Sequence, residues 1–279
     1  MRSLVLLGLF LSLNTFAQEP HCKQLIDDDF EPAREMVKGP RAGHCLDTSQ
    51  IRPLQLIALN QDNAFVANVS HAGQFWTGEI ELTKEAIKRA IFIIESFPPE
   101  AIAAHTELRF DFNLGHEVIL RGQNETNLNE VRKLSSIVIS FEAWDTINGP
   151  GYSFTRGMKD YFALAPRLVS LEDIVQVIVV KYKHKNKQVE LNLNSEETLD
   201  VLKGLLEKGD RIGRNDITYH TIKRNCTNQL FQVLDRVLEM KRGMIRKMSE
   251  FLPIWSKGIL KRRKLIREEL PSLEVEFPQ

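Results

Sequence analysis

The sequence predicts an α/β (α+β) protein. Three observations predict it. Polar and apolar residues alternate through Glu107–Phe112, two β-branched runs lie at Ser136–Phe141 and Ile174–Tyr182, and two further stretches carry apolar residues at helical spacing.

The chain opens with Met1 and Arg2, an apolar run from Leu4 to Leu13 and the small-x-small triplet Thr15-Phe16-Ala17. That is the anatomy of a secretory signal peptide over residues 1–17. The run is too short to cross a bilayer, which takes roughly twenty residues. A mature chain beginning near Gln18 is expected, and its compartment is the periplasm or its equivalent. Lys plus Arg and Asp plus Glu are both 37, and loss of Arg2 with the leader leaves a formal charge of −1. A chain so balanced has no global bias toward nucleic acid, and no nucleic-acid partner is expected.

Residues 18–53 are polar and carry Gly39-Pro40, Gly43 and Arg52-Pro53, so they read as a loop-rich arm, which we extend to residue 82. Leu54–Ala67 has mixed apolar segments compatible with strand or helix. Thr83 is a plausible N-cap for a helix over Lys84–Glu95, with Ala86, Ile87, Ala90, Ile91 and Ile94 on one face and Pro98-Pro99 as the stop. In the strand His105–Phe112, Leu108, Phe110 and Phe112 share one face, and Glu107, Arg109 and Asp111 share the other. Gly115-His116 turns into Glu117–Leu120, and an Asn-rich loop follows over Gly122–Asn129. Ser136–Phe141 reads as a strand and Ile174–Tyr182 as a central one, covered on both faces. Asn148-Gly149-Pro150-Gly151 makes a turn between them. Asn194 with Glu197 forms a capping box for a helix to about Lys208, with Gly209 and Gly213 bracketing its exit. Asp216–Ile222 is short and β-like. Asn225-Cys226-Thr227 opens an amphipathic helix with Leu230, Phe231, Val233, Leu234, Val237 and Leu238. The unit 83–240 is followed by a basic tail over 241–279, read as helical. Its charges between Lys241 and Arg267 alternate with Phe251, Trp255 and Ile259, which suits a solvated terminal helix with one face packed on the domain, or peripheral contact with a membrane surface or partner.

The cysteines sharpen the functional question. In an oxidising compartment Cys22 and Cys45, close together in the polar arm, are the natural disulfide pair. Cys226 is then left over as a buried inert thiol or a reactive one, the alternative being that it pairs with Cys22 or Cys45 itself. Its place at a helix start favours the thiolate, because unpaired N–H groups and the positive end of the helix dipole face it. Lys223 and Arg224 lie just upstream and act in the same direction. Asn225 caps the helix and offers an amide to a developing oxyanion. A thiol nucleophile needs a base. His105, on the polar face of its strand, is the candidate, with His220 as rival. Asn225, Glu107 and His220 are the candidates for a third residue, Asn225 first. No Cys-x-x-Cys, His-Glu-x-x-His, Gly-x-Ser-x-Gly or phosphate-binding glycine loop occurs, so neither metal nor other cofactor is expected.

Ala104-His105-Thr106-Glu107-Leu108-Arg109-Phe110, then Tyr219 with Arg224-Asn225-Cys226-Thr227 and Leu230, resembles a bacterial periplasmic domain family long without an assigned function. It includes the N-terminal periplasmic domain of Lnb, a lipoprotein N-acyltransferase. The resemblance covers roughly residues 95–240. It implies a permuted papain-like core related to the NlpC type, with a mixed or antiparallel sheet packed on the helix that bears the cysteine. It also implies Cys226 and His105 as a catalytic pair, and acyl transfer from a lipid-bearing donor through a Cys226 thioester. Ala104 stands where the family tends to have glycine, and no membrane-spanning C-terminal part is present. The alternatives are a cysteine peptidase or amidase acting on peptide or cell-wall substrates, and a catalytically silent binding or assembly module.

Overall fold

A computed structural model describes residues 22–23, 28–98, 104–240 and 253–278. The signal peptide expected over residues 1–17 lies outside the described residues, as does the first part of the basic tail, 241–252. Among the described residues no helix is long and apolar enough to cross a membrane.

Twelve strands form one sheet: β1 Gln55–Leu59, β2 Asn63–His71, β3 Gln74–Glu81, β4 Ile87–Ser96, β5 Ala104–Phe112, β6 Val118–Gly122, β7 Val131–Leu134, β8 Ser136–Trp144, β9 Phe162–Ser170, β10 Lys185–Leu191, β11 Thr218–Tyr219 and β12 Ile266–Leu270. Their order is β12-β10-β4-β5-β8-β9-β2-β3-β6-β7, with β1 added on β2 and β11 on β9. The pair β2–β9 is parallel and the others are antiparallel. Among the described residues six α-helices accompany them: α1 Phe154–Gly157, α2 Leu171–Val175, α3 Ser195–Arg214, α4 Cys226–Val237, α5 Ser256–Arg262 and α6 Leu273–Glu276. The α/β class is as expected, and the sheet is mixed but mostly antiparallel.

The sheet is covered on both faces. On one, α3 and α4 bury Leu202, Leu205, Leu206, Leu230, Phe231 and Leu234 against Phe92, Leu108 and Phe110, and the Phe92 and Phe231 rings stack with centroids 5.6 Å apart. On the other, α2 and α6 pack Leu171, Ile174, Val175 and Leu273 over Ile91, Ile93, Val138 and Val169. The alternation read in β5 is realised, with Leu108, Phe110 and Phe112 under α3 and α4.

Two elements differ from the sequence reading. Residues 84–95 were expected to be helical, yet Ile87–Ser96 is the central strand β4. Burial on both faces makes Ala90–Ile94 apolar throughout, which erases the period of two, and an irregularity between Ile87 and Arg89 shifts the register. Ile174–Tyr182 was expected to be a central strand. Ser170 instead caps α2 by accepting a bond from the Asp173 amide, and a π-helical turn continues over Gln176–Lys181. Leu171, Ile174, Val175 and Ile178 are buried at i, i+3, i+4 and i+7, so docking on the sheet overrides the β preference of the valines.

The capping box at Asn194 and Glu197 is formed in both directions, each bond 2.9 Å long. The helix it opens runs on to Arg214, so Gly209 and Gly213 lie inside it rather than at its exit. A Cβ at Gly209 would sit 2.8 Å from Leu54, so the glycine is there for close approach. The arm is stapled by the Cys22–Cys45 disulfide. Residues 55–81, grouped with that arm in the sequence reading, supply β1, β2 and β3 to the sheet. The tail is not helical throughout: α5 is followed by β12, which pairs with β10, and Arg263 of the basic block is buried 2.8 Å from Asp235.

Candidate functional site

The start of α4 is built by a turn that the sequence dictates residue by residue. Asn225 Oδ1 accepts from the Asn228 amide at 2.8 Å, and Asn228 Oδ1 accepts from the Asn225 amide at 3.1 Å. Asn225 Nδ2 donates to the Thr221 carbonyl at 2.6 Å, and Asn228 Nδ2 to the Ile222 carbonyl at 3.1 Å. Both ends of the Asn225 amide thus serve the cap. His220 is buried within the same turn, where its Nδ1 accepts from the Ile222 and Lys223 amides, each at 3.2 Å. Arg224 is drawn away from the helix start by an ion pair with Asp160 and a bond to the Thr218 carbonyl at 2.7 Å. The turn therefore fixes where Cys226 stands and uses up the polar neighbours expected to act on it.

Cys226 is free, and 1 % exposed. The hydroxyls of Thr227 and Thr106 lie 3.0 Å apart and join α4 to β5. One residue before Thr106, the His105 ring lies within hydrogen-bonding reach of the Cys226 sulfur. Sequence reasoning named these two residues, and the fold brings them together across 121 positions.

A residue that sequence reasoning missed completes the arrangement. β5 pairs with β8 over Leu108–Asp111 against Ile139–Ser136. Carried toward the start of β5, that register sets His105 opposite Glu142. His105 Nε2 lies 3.1 Å from Glu142 Oε1 and 3.6 Å from Glu107 Oε1, between the two carboxyls. Glu142 is itself held by the Ser140 hydroxyl at 2.6 Å. On the other side, Glu95 faces His105 across β4 but is engaged by His184 Nδ1 at 2.6 Å. Glu142 continues the alternation of Ser140 beyond the strand recognised at Ser136–Phe141, but its relevance depends on β8 lying beside β5, which no local pattern encodes.

The electrostatics follow from burial and from these neighbours. Burial pushes the Cys226 thiol up, but the His105 charge and contacts from His105 and Thr106 outweigh it, and the thiol ends below its ordinary value. Burial pulls the His105 imidazole down, while Glu142 and Cys226 raise it well above its ordinary value. Burial raises Glu142 as well, yet His105, Arg167 and Ser140 bring it down to about 2. Glu107 goes the other way: burial, then the Glu95 and Glu142 charges, push it up to about 8 against His105 and Arg167. At neutral pH Glu142 is ionised and Glu107 protonated, a separation of two carboxyls that sets acid–base roles, and the Cys226–His105 pair is biased toward thiolate and imidazolium.

An aromatic wall adjoins the dyad. The Tyr152 ring packs on Phe162 at 5.7 Å, on Tyr219 at 6.0 Å and on Phe97 at 6.5 Å. Tyr219 is held well above its ordinary pKa by burial and by the Cys226 charge, so it stays a phenol. Tyr152 and Phe154 keep exposed apolar surface beside it, and Ile147 is exposed as well.

The model of one protein family, the Lnb N-terminal periplasmic domain, matches residues 76–253, a span that contains His105, Glu142 and Cys226. No curated protein matches the chain, and no solved structure does.

Proposed function

This chain belongs to the family of Lnb N-terminal periplasmic domains, and on that footing we propose that it is a thiol-dependent acyltransferase. In this reading Cys226 is the nucleophile, His105 its base, and Glu142 the carboxylate that orients and charges His105. The observation that carries the reading is the free thiol at the start of α4 within reach of an imidazole that is itself backed by a partly buried carboxylate. Asn225 acts as the anchor of the helix start, because its amide nitrogen is committed to Thr221. The packing of α4 on the sheet that carries His105 supports the permuted papain-like arrangement implied by the family resemblance.

The chemistry runs in two steps. The Cys226 thiolate attacks the carbonyl carbon of an acyl ester. A C–S bond forms, the ester C–O bond breaks, and the alcohol leaves with the proton from His105. An amine then attacks the thioester, His105 takes its proton, a C–N bond forms, and the thiolate is released. Amides at the first turn of α4 face the developing oxyanion. The exposed apolar surface of Ile147, Tyr152 and Phe154 favours an acyl chain over a polar peptide, which ranks the peptidase or amidase reading second. Peripheral membrane contact through the 241–267 segment would bring such a donor within reach, and the half-exposed Trp255 supports it.

The test is the pH profile of iodoacetamide alkylation at Cys226 in the presence of a chelator, for the wild type, His105→Ala and Glu142→Gln. An apparent pKa below the ordinary thiol value of about 8.5, rising in both variants, is expected. A Cys226 that reacts only after unfolding would sink both enzyme readings and leave a binding module.

A further inference from the structure

We propose that His105, Glu107 and Glu142 form a binding site for one zinc-type divalent cation, with His105 ligating through Nε2. One ligand atom from each residue lies within 4.8 Å of the other two, and Cys226 stands outside this donor set. Nitrogen and carboxylate oxygen bind zinc at about 2.0–2.2 Å, which places neighbouring donors of a tetrahedron about 3.3 Å apart. The two separations from His105 Nε2, 3.1 Å to Glu142 and 3.6 Å to Glu107, bracket that value.

A second observation is independent of this spacing. The Glu107 side chain is 4 % exposed, and among the described residues its Oε2 accepts no hydrogen bond. Buried polar atoms without partners are uncommon in native proteins and call for an occupant. Glu95, the other carboxylate near this site, is already engaged by His184, so Glu107 is the spare one. The Ser140 hydroxyl on Glu142 acts as the outer support that metal ligands generally have. His105 and Glu142 keep 16 % and 20 % of their side-chain surface exposed, while the ligating His105 Nε2 is itself buried.

Imidazole bound through Nε2 keeps its remaining proton on Nδ1 and has no lone pair left for the thiol proton. Zinc at this site therefore holds the base out of action, a form of inhibition that rests on the thiol reading above, whereas metal binding itself does not.

The experiment is zinc titration of the metal-free full chain against a chromogenic chelator. It covers the wild type, Cys226→Ala and Glu107→Gln, with the zinc absorption edge recorded on the loaded wild type. One zinc per chain is expected in the wild type and in Cys226→Ala, with nitrogen and oxygen but no sulfur in the first shell. Since loss of an outer partner alone costs about 10–100-fold in affinity, Glu107→Gln should bind at least tenfold more weakly. No binding to the wild type, a sulfur ligand, or full affinity in a folded Glu107→Gln would each overturn the site. If Glu107→Gln does not fold, Glu142→Gln takes its place. Zinc binding alongside a Cys226 that resists alkylation would sink the thiol reading alone; a reactive Cys226 with no zinc binding would sink the metal site alone.

Discussion

At Glu142 burial and the neighbouring imidazolium pull in opposite directions, and the imidazolium prevails; at Glu107, two residues from His105 on the same strand face, burial prevails. The two carboxyls therefore affect stability with opposite signs. Glu142, held at about 2, stabilises the fold above the ordinary carboxylate range and loses that contribution as pH falls toward 2. Glu107, pushed up to about 8, contributes below the ordinary range and loses its contribution as pH rises through 8. In metal-free protein, Glu107→Gln should therefore gain in melting temperature relative to the wild type between pH 5 and pH 8, by several degrees. Parallel melting curves for the two proteins across that range would show that Glu107 does not titrate as described. Cys226 and His105 were legible as residues because each sits in a telling local pattern, a helix start and an alternating strand. Glu142 was not, since only the juxtaposition of β5 and β8 gives it meaning.

Among the elements, α4 shows how a local signal can fix a distant geometry. Its cap ties Asn225 to both Asn228 and Thr221, so the cost of losing it exceeds that of an ordinary surface cap. Asn225→Ala should destabilise the protein by about 2 kcal/mol, the upper end for cap removal, as read from the urea midpoint. Asn225→Asp, which keeps the acceptor, should recover part of that loss. Equal midpoints for the wild type and Asn225→Ala would mean the cap carries no stability. The capping box of α3 was equally readable, because both partners lie three residues apart. β4 was not, because a strand buried on both faces has lost the alternation that identifies strands, and its β-bulge distorts what remains. The segment after Ser170 failed for the complementary reason. Its valines favour strand, but the cap and the packing of Ile174 and Ile178 decide otherwise.

For the molecule as a whole, the disulfide closes a loop between positions 23 residues apart and holds the arm on the end of β8, where Met36 and Leu46 pack on Trp144. Loops of this size gain about 3 kcal/mol from closure. Replacing Cys22 and Cys45 together by alanine should lower the unfolding free energy by about that amount; an unchanged midpoint would show that packing alone holds the arm. The arm's polarity and the pairing of its cysteines were legible from composition and compartment. That β1 to β3 join the main sheet was not, because the link is the parallel pair β2–β9, whose strands are some hundred residues apart.

The far end of the chain enters the middle of the fold. β12 pairs with β10, and Glu276 reaches Arg109 on β5 with two bonds of 2.9 Å, one from each terminal guanidinium nitrogen. A chain delivered from its N-terminus can lay down most of the sheet early, with Arg109 held by Asp111 of its own strand at 2.6 Å. Its second carboxylate is supplied only by the last turn of the fold, so the charge balance on the strand carrying His105 is completed by residues 167 positions away.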